Sequence, residues 1–174
     1  MKDFSALVIA KAPPAPLFAT IRDRLIELVG ALDDIESIEE VDRAPEGGAL
    51  RVVNRWHARQ TIPLLLRGKL GHDGIQWLDT ARWYEDRLVC TWDIVPSIGD
   101  GAITCVGETH FLPAMGGRGT RLQFDGKLDI DPAFIGGLVG PFQGPVRKLV
   151  ESIVTTLIPT NFRAVAEAAA KVAA

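Results

Sequence analysis

Apolar residues at Leu17, Phe18, Ile21, Leu25, Leu28, Val29 and Leu32 recur at steps of three and four, while Arg22, Asp23, Arg24 and Glu27 take the opposite side. That spacing predicts one amphipathic helix ending near Asp33. The period then drops to two. Residues 35–41 and 50–58 read as a hairpin around a turn at 45–48, with Leu50, Val52, Asn54 and Trp56 on one face of the second strand. Residues 75–84, 88–95, 103–112 and 119–130 follow as further strands, separated by turn residues at 85–87, 99–101 and 116–119, and sequential hairpins of this kind predict an antiparallel meander. The last strand alternates most regularly, with Leu122, Phe124, Gly126 and Leu128 against Arg121, Gln123, Asp125 and Lys127, so one face is buried and the other wet.

The two ends complete the pattern. Residues 4–10 read as a strand that meets Pro13, Pro14 and Pro16 just before the first helix. Beyond Asp131 and Pro132, a link containing Gly136, Gly137, Gly140 and Gly144 leads to a stripe of Val146, Leu149, Val150, Ile153, Val154, Leu157 and Ile158, which predicts a long C-terminal helix. Pro159 is expected to kink or split it, because proline removes a backbone donor and crowds the preceding turn. Residues 61–70 fit neither period: they contain Pro63, then Leu64, Leu65 and Leu66, flanked by Arg67 and Lys69, and are expected to form a short helix or a wide loop.

Length and charge narrow the class. A chain of 174 residues can bury one sizeable core, and no linker or internal repeat divides it, so a single domain over 1–174 is expected. An apolar fraction of 47% with 24% charged residues suits a globular fold. The net charge of −3, with acids and bases interspersed, offers no basic run to follow a phosphate backbone, so nucleic acid is not an expected partner. Apolar stretches are broken by charges well short of the roughly 20 residues of a membrane span, and the N-terminal residues lack a signal-peptide core. The expectation is a cytoplasmic protein without stable membrane insertion. Cys90 and Cys105 both fall in strands and read as buried free thiols rather than a disulfide.

The order strand, helix, antiparallel strands, long C-terminal helix resembles the START and Bet v 1-like superfamily, which includes polyketide cyclases, dehydrases and lipid-transport proteins. The local carriers are Ala10-Lys11-Ala12-Pro13-Pro14-Ala15-Pro16-Leu17-Phe18, the alternating strand Gly119-Thr120-Arg121-Leu122-Gln123-Phe124-Asp125-Gly126, and the terminal helix with its preceding glycines. The resemblance implies an α+β helix-grip fold, a curved antiparallel sheet wrapped around the C-terminal helix, with an interior cavity for a hydrophobic small molecule. Fold analogy does not establish function, which has to be argued from side chains.

Four tryptophans, Trp56, Trp77, Trp83 and Trp92, fall in strands and are either core filling or walls for a flat apolar ligand. Asn54, Trp56, Trp77, Trp92, Phe124, Phe142, Leu149 and Ile153 are the expected ligand-binding residues. Asp79 shares a strand face with Trp77 and Trp83, where desolvation would raise its pKa and suit it to acid–base work, unless a bulge turns it to solvent or it pairs with Arg82 or Arg55. Glu108 and His110 share a strand face too. If the turn near Gly116 pairs residues whose numbers sum to an even value, both point into the cavity as an acid–base pair; a one-residue change of register sends both to solvent.

No metal site is expected, since His57 and His72 lack ligand spacing, and no glycine-rich phosphate loop or other cofactor motif is present. Three functions remain: carriage of a hydrophobic ligand such as a lipid or polyketide; a cyclase- or dehydrase-like reaction using His110 with Glu108, or Asp79; and a protein-interaction module docking through Leu64 to Leu66, a segment that also suits a portal for cargo.

Overall fold

The computed structural model describes residues 2–60, 62–67, 74–138 and 140–173. Lys69 and His72, named above, lie outside the described residues. Strand β1 (Lys2–Ala10) leads through the prolines into helix α1 (Pro14–Arg24), which continues as a 3₁₀ segment, Leu25–Ala31. The predicted single helix therefore tightens in its last turns. Leu25 and Leu28, both buried, are three residues apart, and a 3₁₀ turn stacks such residues on one edge.

Strands β2 (Ile35–Glu46), β3 (Ala49–Ala58), β4 (Gln76–Tyr84), β5 (Val89–Pro96), β6 (Ile103–Ala114) and β7 (Gly119–Ile130) then follow. They form one seven-stranded antiparallel sheet in the order β1-β7-β6-β5-β4-β3-β2. The β2–β3 hairpin turns on Gly47 and Gly48, whose φ of +55° and +80° is a left-handed pair that glycine adopts at little cost. Short helix α2 (Pro132–Gly136) precedes the C-terminal helix, built of α3 (Gln143–Ser152), a π turn (Ile153–Leu157) and α4 (Ile158–Ala173). The fold is α+β and of the helix-grip type, as the sequence predicts.

Pro159 does interrupt the C-terminal helix, but by widening it. The Ile158 N–H bonds to the carbonyl of Ile153, five residues back. Pro159 has no N–H to return to Thr155, and a π turn next to it accommodates the loss without breaking the helix axis.

The core lies on the concave face. Even-numbered residues of β1, β3, β5 and β7 and odd-numbered residues of β4 and β6 point inward, and α1, the 3₁₀ segment and the C-terminal helix close over them. Thr120 Oγ1 donates to the carbonyl of Ala12 at 2.7 Å, tying β7 to the link between β1 and α1. Outside, Arg43 of β2 donates to Asp23 of α1 at 2.9 Å and to Glu40 at 2.7 Å.

One row across the sheet explains its bend. Phe4, Gly126, Gly107 and Trp92 are successive register partners on β1, β7, β6 and β5. A Cβ on Gly126 would meet the Phe4 ring at 2.5 Å and Trp92 at 2.6 Å, so the paired glycines leave room for both rings against the backbone.

Candidate functional site

Where the sheet curves away from the helices, a cavity of about 100 Å³ remains. The sheet supplies Trp56, Trp77, Trp83, Trp92, Phe111 and Phe124 to its wall; Ile21 and Leu25 close it from α1 and the 3₁₀ segment, and Ile158, Asn161, Phe162 and Val165 from α4. A larger depression of about 730 Å³ lies on the outer face beside Asp3, Asp93, Glu108, Asp125 and Lys127. It is open to solvent, with no second layer to exclude water, so the interior cavity is the candidate site.

Aromatic contacts set the cavity's shape. Trp92, Phe124 and Phe162 form a column, with ring centroids 4.5 Å and 4.4 Å apart and planes within 12° and 28°. Trp56 and Trp77, cross-strand partners on β3 and β4, stack at 5.7 Å and 14°. Phe18 meets Trp83 and Phe111 edge-on at 5.1 Å and 5.2 Å. Trp92 is polar-satisfied as well as packed: its indole N–H donates to Thr109 Oγ1 at 3.1 Å.

The polar side of the cavity is built from Asn54, Trp56 and Asp79. Asn54 and Asp79 are direct register partners, and Trp56 is the next inward residue along β3. Asp79 keeps some accessible surface, and that surface belongs to the cavity wall. Burial pushes its carboxyl from the ordinary 3.8 up to about 7: lost hydration dominates, the Trp56 indole opposes by favouring the carboxylate, and the negative charge of Asp93 on β5 adds to the rise. Trp56 lies near enough to influence that charge, yet no hydrogen bond of ordinary geometry joins the two. Trp56 Nε1 and Asp79 Oδ1 are both buried without a hydrogen-bond partner. Such atoms cost about 1–3 kcal/mol each, and a pair of them at one spot marks a place where something else supplies the partner.

Neither alternative raised for Asp79 is seen. Arg82 binds Glu46 and Asp93 on the outer face, and Arg55 reaches Glu39 at 3.3 Å. The strand has no bulge at Asp79, whose register with Asn54 and Ile94 is continuous.

The inward pair Glu108 and His110 is corrected. Ala114 pairs with Gly119 and Glu108 with Asp125, so partner numbers sum to an odd value and the inward face of β6 is Ile103, Cys105, Gly107, Thr109 and Phe111. The connection between the paired Ala114 and Gly119 is the four-residue link 115–118, with φ of +53°, +68° and +85° at Met115, Gly116 and Gly117, so its centre falls between Gly116 and Gly117 rather than on Gly116. Glu108 and His110 bond to each other at 3.0 Å on the outer surface, with side chains 52% and 36% exposed. The sequence held a usable signal: the odd-numbered face of this strand carries no charge.

Asn54, Trp56, Trp77, Trp92 and Phe124 come together on the cavity wall. Phe142, Leu149 and Ile153 do not: the last two are buried and Phe142 half-buried in the core under α3 and the π turn, whereas α4 covers the cavity. Asn161 and Phe162 are wall residues that the sequence reading missed, because they follow Pro159, where the helix was expected to kink or split, and small alanines make up most of the stripe beyond it. Asn161 is buried and donates to the carbonyl of Leu157 at 2.8 Å. Cys90 and Cys105 are free and buried; desolvation pushes Cys90 well above its ordinary pKa and Cys105 up to about 12, which leaves unreactive thiols. Among the described residues no cluster of three metal-ligating side chains occurs, and no helix is long and apolar enough to cross a membrane.

No protein-family model and no curated protein matches the chain. Solved structures do. The TTHA0849 protein of Thermus thermophilus is 24% identical with a TM-score of 0.63, covering 99% of this chain and 97% of that one. The ZhuI aromatase/cyclase of Streptomyces sp. R1128 is 15% identical with a TM-score of 0.67, covering 99% and 93%. A norcoclaurine synthase of Thalictrum flavum, in complex with a transition-state analogue, is 14% identical with a TM-score of 0.61, covering 99% and 93%. Together with the Bet v 1-like Ara h 8.0201, at 18% identity and a TM-score of 0.59, these likenesses establish the fold that the sequence resembles.

Proposed function

We propose that this helix-grip chain binds a hydrophobic small molecule between its sheet and its C-terminal helix. The observation that carries the reading is the aromatic-walled cavity between sheet and helices, whose wall holds buried polar atoms with unfilled hydrogen bonds. An apolar interior with a few convergent polar groups is the usual make-up of a small-molecule site. At about 100 Å³ the free space is below the roughly 300–1,000 Å³ of pockets for drug-sized ligands and nearer that of a single aromatic ring. A larger lipid or polyketide enters only if α4 shifts, and the neighbouring π turn is the element able to absorb such a shift.

Similarity to an aromatase/cyclase and to norcoclaurine synthase keeps a catalytic reading beside the carrier reading. A carboxyl with a pKa of about 7, such as that of Asp79, exchanges protons at neutral pH and has the reactivity of a general acid or base. The Glu108–His110 pair is outside the cavity and has no part in either.

Native mass spectrometry of the purified chain, followed by extraction of any bound molecule and titration with small aromatics, tests the reading. Ala81→Leu supplies the control, since Ala81 is on the cavity wall and the added carbons fill free space. Retained small aromatic or apolar species that disappear in the folded Ala81→Leu variant are expected. Equal binding by both chains would place the ligand elsewhere and refute the proposal.

A further inference from the structure

Among the described residues, Trp56 Nε1 and Asp79 Oδ1 are the fully buried side-chain atoms without a hydrogen-bond partner, and both belong to residues of the cavity wall. Trp92 has Thr109, and Asn161 has the Leu157 carbonyl. Trp56, 8% exposed, has an indole N–H that can only donate, and nothing accepts from it. Beside it stands a carboxyl oxygen that is also unpartnered. Resting on the cavity-binding reading above, we infer that the cavity selects a neutral, one-ring ligand bearing a hydrogen-bond-accepting oxygen, a ketone or similar carbonyl, that takes the Trp56 N–H and the Asp79 carboxyl O–H as its two donors.

Three features decide among ligand classes. A carboxylate ligand would need a cation, and among the described residues the cavity wall carries no Lys, Arg or His. An ammonium ligand would satisfy Asp79 as a carboxylate but would face the Trp56 N–H donor to donor. A plain hydrocarbon would fit the aromatic walls and leave both polar valences empty. A carbonyl oxygen has two lone pairs and satisfies both donors at once.

The Asp79 carboxyl can donate only while protonated. The groups that bear on its protonation are Trp56 on β3, which favours the charged form, Asp93 on the outer face of β5, and the thiols of Cys90 on β5 and Cys105 on β6, both neutral; α4 presents the uncharged Asn161. With the carboxyl losing its proton near pH 7, the preference for a carbonyl is expected at pH 5.5 and lost at pH 8.5.

Acetophenone, α-methylstyrene and 1-phenylethylamine share one shape and differ in carrying a carbonyl oxygen, a methylene or an ammonium group. Calorimetric titration at both pH values, with the indole N–H signals followed by NMR and that of Trp56 assigned through Trp56→Phe, tests the inference. At pH 5.5 acetophenone is expected to bind about tenfold or more tightly than α-methylstyrene, and to move the Trp56 indole signal. At pH 8.5 these two neutral ligands should bind alike. Asp79→Asn, whose amide donates at any pH, should keep the acetophenone preference at pH 8.5, and Asp79→Leu, which leaves the Trp56 N–H as the one donor, should show a reduced preference that no longer changes with pH. Equal affinities of acetophenone and α-methylstyrene at pH 5.5, a preference untouched in both Asp79→Leu and Trp56→Phe, or tightest binding of the amine at pH 5.5 would overturn the oxygen site while leaving a binding cavity. Failure of all three ligands to bind would overturn the cavity reading and this inference together.

Discussion

Replacing Asp79 by asparagine should stabilise the protein at neutral and alkaline pH and do little in acid. In the unfolded chain this aspartate releases its proton near 3.8, whereas in the folded chain it holds the proton to about 7. Between those values the folded state binds more protons than the unfolded state, so stability falls as pH rises, by about 1.4 kcal/mol per pH unit while the gap lasts. The whole effect is about 4 kcal/mol: absent below pH 4, growing from there to pH 7, and constant above it. An amide has nearly the same shape, stays neutral and removes this penalty. Urea unfolding of both chains at pH 4, 5, 6, 7 and 8, followed by tryptophan fluorescence and far-ultraviolet circular dichroism, gives the difference directly, since titrations elsewhere in the chain cancel. The variant's advantage should grow with pH and level off above about 7. A difference that stays flat between pH 5 and 8 would refute the buried, uncompensated carboxyl.

Three further changes probe the frame around the site. Gly107→Ala would put a Cβ 2.1 Å from the carbonyl oxygen of Asp125 and 2.5 Å from Trp92, so a loss of about 3 kcal/mol or more in urea unfolding is expected, with the Trp92 fluorescence environment altered. Thr109→Val keeps the shape and strands the Trp92 N–H; about 1–3 kcal/mol should be lost, and a variant as stable as the parent would mean that this bond contributes nothing. His110→Ala removes an exposed pair with Glu108 and should cost less than about 1 kcal/mol while leaving ligand affinity unchanged in calorimetry, an outcome contradicted by any tenfold loss of binding.

Much of this protein was legible in its residues one segment at a time. Steps of three and four announced α1 and the C-terminal helix, and alternation announced the strands and put Asn54, Trp56, Asp79 and Phe124 on inward faces, because helix and strand periods are local properties that a buried face imprints on the chain. Their order was enough for the helix-grip fold to be expected.

Tertiary structure decided the rest. Whether Glu108 and His110 faced in or out hung on the length of one turn, since a single extra residue exchanges the faces of a whole strand, and the 3₁₀ turn at Met115–Gly117 sent them out. Leu149 and Ile153 sit on the same apolar helical stretch as the cavity wall but at the wrong end of it, with Phe142 just before its start, because a cavity forms where two distant surfaces fail to meet and no periodicity records that gap. The pairing of a lone indole donor with a lone carboxyl arose the same way: each residue was visible in the sequence, but whether its hydrogen bond is filled depends on which strands and helix pack around it.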